Sequence, residues 1–196
     1  MNQINENYSL VITGNVHNPT VISDFFLKNS GIISDEQELD RSKTIITPAL
    51  CQIFIKKSDT VFVVMPNVLT ITSKDSNLPF TIGKKYCSNL GYINSIAVGI
   101  NFEVLVTDFN FEKWFENYKI STYNNAMMQS FIVTFTANPN TKCNVTITLN
   151  SADKATFRFN FHRDTNVPLS NIPFDFIQEA NKFKNQANEF IKNSIK

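Results

Sequence analysis

Apolar and polar residues alternate along most of this chain, and in a few stretches the apolar ones instead recur every three or four positions. The alternating stretches predict strands. The first is Tyr8 to Val16, followed by "NPT" at 18 to 20, which reads as a helix start with Asn18 as cap and Pro19 in the first turn. Val21, Ile22, Phe25 and Phe26 fall on one face of that helix, and "NSGI" ends it, with Gly31 free to adopt a left-handed turn. Residues 44 to 73 then read as a meander of three strands, "ALCQIFIKK", "VFVVM" and "VLTIT". The unbroken apolar run of "VFVVM" predicts a strand covered on both faces.

"LPFTIGKKYCSNLG" returns to helical spacing, with Ile82, Tyr86 and Leu90 on one side. "SIAVGINFEVLVTDF" follows as the strongest strand pattern in the chain. Ile96, Val98, Ile100, Phe102, Val104 and Val106 point one way; Ala97, Gly99, Asn101, Glu103 and Leu105 point the other. "NFEKWFENY" has the spacing of a short helix, and 119 to 128 read as a loop carrying Met127 and Met128, which suit a contact surface. A second meander comprises "SFIVTFTA", "CNVTITLN" and "ATFRFNFH". The chain closes with Phe176, Ile177, Ala180, Phe183, Ala187, Phe190 and Ile191 as one apolar stripe, the signature of an amphipathic helix.

The resulting order, β-α-β-β-β-α-β-α-β-β-β-α, predicts one α+β domain over residues 1–196. Its sheet is mainly antiparallel, built from two meanders, with helices packed on one side and a long C-terminal amphipathic helix. Strand-then-helix recurs at 8 to 29 and at 96 to 118, each time before a meander, so a two-lobed or internally duplicated arrangement of 1–93 and 94–196 is compatible with the pattern.

Composition narrows the function classes. A net charge of +1, with both signs mixed along the chain, supplies no basic stripe for a phosphate backbone, which disfavours nucleic-acid binding. The three cysteines lie far apart in apolar runs, as reduced buried thiols do in a cytoplasmic protein. No secretory leader or bilayer-length apolar run is present in the sequence, so a cytoplasmic protein without a membrane partner is expected. Five glycines provide no phosphate-binding loop, and the two histidines stand alone, without metal-ligand spacing; neither cofactor nor metal is expected. Asp35, Glu36, Glu38 and Asp40 cluster in a loop, but without the spacing of a calcium loop.

Chemistry concentrates in "FRFNFHRDT". Phe157, Phe159 and Phe161 alternate with Arg158, Asn160 and His162, so the three polar residues share the uncovered side of a half-buried strand. If "CNVTITLN" pairs with it, Asn144, Thr146 and Thr148 extend that wet face. Should the strand of Asn101 and Glu103 also lie alongside, then Glu103, Arg158 and His162 could meet and do acid/base work on an anionic substrate. A solvated face is the usual meaning of such a pattern; the alternative is a ligand or partner surface with Asn101, Asn160 and Arg163, to which Met127 and Met128 add a contact surface in their loop. Arg158, Arg163 and Lys142 are the residues a nucleic-acid reading would use.

"ITPALCQIFI", "PNVLTIT", "IAVGINFEV" and "FRFNFHRD", ahead of a terminal amphipathic helix, resemble a sporadically distributed family of uncharacterised bacterial proteins over about residues 44 to 191. The resemblance implies an accessory role, in host–phage or mobile-element conflict, and brings no activity, cofactor or site residue with it. The expectation from the sequence is a non-catalytic binding or assembly component, with a protein partner or homo-oligomer. The alternatives are a small-ligand sensor or enzyme around Glu103, Arg158 and His162, and a weak nucleic-acid binder.

Overall fold

The computed structural model describes residues 3–15, 17–91, 93–110, 130–151, 153–172 and 178–194. Among them, nine strands form one antiparallel sheet: β1 (Gln3–Asn15), β2 (Ile45–Ile46), β3 (Cys51–Ile55), β4 (Thr60–Met65), β5 (Val68–Ser73), β6 (Asn94–Thr107), β7 (Ser130–Asn138), β8 (Thr141–Ser151) and β9 (Lys154–Pro168). Three helices accompany them: α1 (Asp24–Asn29), α2 (Leu78–Asn89) and α3 (Ala180–Ser194). The fold is α+β and sheet-dominated, and both meanders belong to the same sheet.

Strand order across the sheet is β2-β3-β4-β5-β1-β6-β9-β8-β7. Apart from the short β2, that order is palindromic. Each half begins with a long strand, β1 or β6, that pairs with the last strand of its own meander and with its counterpart in the other half. Each meander ends in a segment leading to a helix on the sheet, α2 for the first half and α3 for the second. The two halves thus repeat one topology about the β1–β6 seam.

One face of the sheet carries the core. Ile53, Phe62, Ile71, Leu10, Ile100, Phe161 and Cys143 lie opposite one another on successive strands and are all buried. Helix α2 presses onto the first half of this face, where Gly83 lies against Leu10 and Ile71 and the Tyr86 ring meets Phe62 edge-on at 5.9 Å. Helix α3 covers the second half: Phe183 stacks on Phe161 at 4.6 Å, and Phe190 packs against Phe135 and Phe159. Burying such aromatic pairs is what fixes an amphipathic helix to its sheet. The buried stripe Ala180, Phe183, Ala187 and Ile191 is spaced for this purpose.

Several local expectations change. "VFVVM" is covered on one face only: Phe62 and Val64 are buried, while Val61 and Val63 stay half exposed on the other side. A run of valines there satisfies strand propensity without needing a second layer. The first helix is broken, because Asn18 caps only a 3₁₀ turn over Pro19–Val21 and Ser23 then caps α1 anew, its Oγ accepting from the Phe26 N–H. The break rotates Phe25 outward to 78% exposure. Ile96 also leaves the core, at 43% exposure, since the β6–β9 register shifts between Ser95 and Ala97 and turns Ser95 inward instead. Strand β1 starts earlier than its own pattern suggests, because β6 pairs with it as far as Gln3. Gly31 takes the left-handed turn, at φ +68°. The expected helix from 111, the loop with Met127 and Met128, and Phe176 and Ile177 fall outside the described residues.

Candidate functional site

Because opposite residues on paired strands point to the same side, the register fixes the second face of the sheet, which no described element covers. One row across it runs Thr72, Ser9, Asn101, Asn160, Asn144 and Thr134, on β5, β1, β6, β9, β8 and β7. The next row holds Asn7, Glu103, Arg158, Thr146 and Ile132. Together these residues, Thr134 excepted, line a concavity of about 530 Å³. Toward β3–β5 the same face turns aliphatic, through Val11, Val61 and Val63.

Glu103 and Arg158 are directly opposite on β6 and β9, and Arg158 Nε donates to Glu103 Oε2 at 2.7 Å. His162 shares their face but pairs with Gly99. Four residues separate it from Arg158, about 13 Å along the strand. The three residues therefore do not converge: an ion pair forms, and the imidazole stands apart beside Lys142, in a second concavity with Pro139, Asn140 and Asp164.

Arg163 is on the other side of the sheet. Odd-numbered residues from Phe157 onward face the helices, so its guanidinium reaches Thr141 Oγ1 at 3.0 Å and Glu179 at 3.3 Å, just ahead of α3. It fastens the segment ahead of the terminal helix, and it also borders the concavity beside His162. Arg158 is paired to Glu103 and lies about 13 Å along the strand from the concavity that Lys142 and Arg163 share, so the three basic residues do not meet at one place. The acidic loop is likewise accounted for locally: Asp35 and Asp40 cap two 3₁₀ turns, and Glu38 accepts from the backbone N–H groups of Ser34 and Asp35. No group of three or more potential ligands is placed to hold a metal ion among the described residues.

The thiols are unsuited to nucleophilic work. Burial pushes Cys51 up to about 11, and Cys87 and Cys143 up to about 12, so each stays protonated at neutral pH. The other histidine, His17, is buried in the core, its Nδ1 2.8 Å from the Tyr86 hydroxyl and its Nε2 without a partner. Burial holds its pKa below the usual histidine range, with the Ile12 backbone partly opposing that shift.

No protein-family model and no curated protein matches this chain. Arg158 and Asn160 are legible in the sequence as the polar side of one strand, and Asn101 and Glu103 as one side of another; that the two sides form one face is not. Asn7, Ser9 and Thr72 are not legible there as part of it, although Asn7, Ser9 and Val11 alternate with the buried Tyr8 and Leu10. The alternation was legible; the partner strand that completes the row was not.

Proposed function

We propose that this protein is a non-catalytic assembly component that joins a second copy of itself through the outer edge of β7. The observation that carries the reading is the contrast between the two edges of the sheet. At one edge, β2 is only two residues long, with Arg41 and Lys43 before it and Pro48 after it. Short strands, basic side chains and proline are the usual means of keeping an edge from pairing. At the other edge, β7 reads "SFIVTFTAN": nine residues with neither a charge nor a proline, and with Ile132 69% exposed.

An edge of this kind presents alternating N–H and C=O groups that only another strand satisfies in full. Ala137 already accepts from Gln186 Nε2 through its carbonyl, so the pairing segment is Ser130 to Thr136. A homotypic antiparallel pair is self-complementary and closes after two copies. With no charge in either strand, like charges never face each other across the seam.

Other features agree with a binding role. The carboxylate and guanidinium on the open face neutralise each other, His162 lies beyond their reach, and the thiols are buried. Sedimentation of wild type against Thr134→Lys tests the reading. A dimer that the substitution converts to monomer, with the circular dichroism spectrum unchanged, supports it. A wild type that stays monomeric at high micromolar concentration contradicts it.

A further inference from the structure

Independently of the β7 edge, the geometry points to the concavity at Asn101, Asn144 and Asn160 as a binding site for a neutral saccharide. Hydrogen-bonding capacity is unevenly used along the row that crosses it. At one end Ser9 Oγ and Thr72 Oγ1 bond each other at 2.9 Å; at the other, Thr134 Oγ1 donates to Asn144 Oδ1 at 2.8 Å. The centre is uncommitted. Asn101 Oδ1 is sunk in the floor with no partner, and the exposed amide of Asn160 on the adjacent strand makes no side-chain hydrogen bond to any described residue. Polar atoms left so in a concave surface are the ones a ligand rewards, since a buried acceptor is costly to leave without a donor.

Three properties select the ligand class. Glu103 and Arg158, on the next row, are paired at 2.7 Å, so the floor has both signs of charge but no excess of either. With no excess of either sign, the floor offers a full counter-charge to neither an anion nor a cation, whereas a neutral ligand needs none. Each asparagine and each hydroxyl on the row both donates and accepts, as every sugar hydroxyl does. Neighbouring members of the row are spaced by the strand separation of about 4.8 Å, close to the separation of equatorial hydroxyls on alternate carbons of a pyranose ring. Ile132 at the rim offers an apolar patch for the C–H side of such a ring. The concavity, about 530 Å³, falls in the size range of small-molecule sites.

The test is an NMR titration of the full chain, following the side-chain amide signals of Asn101, Asn144 and Asn160. The probes are the neutral disaccharides cellobiose, maltose, lactose and chitobiose, with glucuronate, glucosamine and N-acetyl-trialanine amide as charged and peptide comparisons. At least one disaccharide is expected to shift these three amides saturably, and Asn160→Ala to weaken it about tenfold or more. Asn160 is exposed, so the variant keeps its fold; Asn144→Ala provides a second, independent loss. The assignment is overturned if no disaccharide gives a saturable shift, if affinity survives both substitutions, or if glucuronate, glucosamine or the peptide binds more tightly.

Discussion

Arg158 Nε lies 2.7 Å from Glu103 Oε2 across the β6–β9 ladder, while His162, on the same face of β9, pairs with Gly99 instead. An acid/base site needs a base within hydrogen-bond reach of its orienting partner. Here the carboxylate is bound to a permanently charged guanidinium, and the imidazole is two pleats away. The arrangement makes an ion pair, with the imidazole set apart from it.

That pair is accessible to water, with Arg158 57% and Glu103 28% exposed, and exposed ion pairs contribute about 0–1 kcal/mol. Glu103→Gln is therefore expected to lower stability by less than about 1 kcal/mol in urea denaturation. His162→Ala should stay within about 0.5 kcal/mol of wild type. A loss of several kcal/mol from either would mean that the open face is structurally essential.

Stability should fall with mild acid because of His17. Its folded pKa lies below 6.5, so the unfolded chain takes up a proton first as the pH drops. The stabilisation is complete above the unfolded value and is lost as the pH falls from 6.5 toward the folded pKa, by at most about 1.4 kcal/mol per pH unit. Urea midpoints at pH 7.5 and 5.5 measure the slope; His17→Asn, although less stable throughout, should lose this component. An equal slope in the variant would assign the effect elsewhere. Tyr86→Phe, which leaves Nδ1 without its partner, is expected to cost about 1–3 kcal/mol.

Helix α2 can approach β1 closely only because residue 83 is glycine. A Cβ there would stand 2.1 Å from Leu10 Cδ2, and Leu10 is fully buried. Overpacking of about 1–3 kcal/mol should outweigh the gain of about 1 kcal/mol that alanine brings to a helix. Gly83→Ala is therefore expected to lower the denaturation midpoint. Phe183→Ala, which removes the stack on Phe161, should cost about 3–5 kcal/mol.

The thiols offer a check on core integrity. All three are buried with raised pKa values, so a thiol reagent such as dithionitrobenzoate should react slowly with native protein at pH 8 and fully after denaturation. Rapid reaction of one thiol in the native state would show that its element opens.

Much of the fold was legible in the sequence where periodicity and burial coincide. Phe157, Phe159 and Phe161 announced their strand and its buried side, and Ala180, Phe183, Ala187 and Ile191 announced α3. The failures share a cause: local pattern does not report which strands pair. The valines of β4 suggested a second layer because a strand satisfied on one face can still be apolar on both. Arg163 looked like its neighbours because nothing local says where Glu179 will dock. The Glu103–Arg158 pair required the β6–β9 register, a long-range relation, and the same register separated His162 from it.

The central claim, association through β7, is tested most directly by hydrogen exchange along residues 130 to 136 at increasing protein concentration. Outward-facing amides of an unpaired edge strand exchange with solvent, whereas those in a paired ladder are protected. Alternate amides of this segment are expected to slow as concentration rises, with β2 unchanged and with Thr134→Lys abolishing the effect. Exchange in β7 that is independent of concentration, or protection that appears at β2 instead, would contradict it.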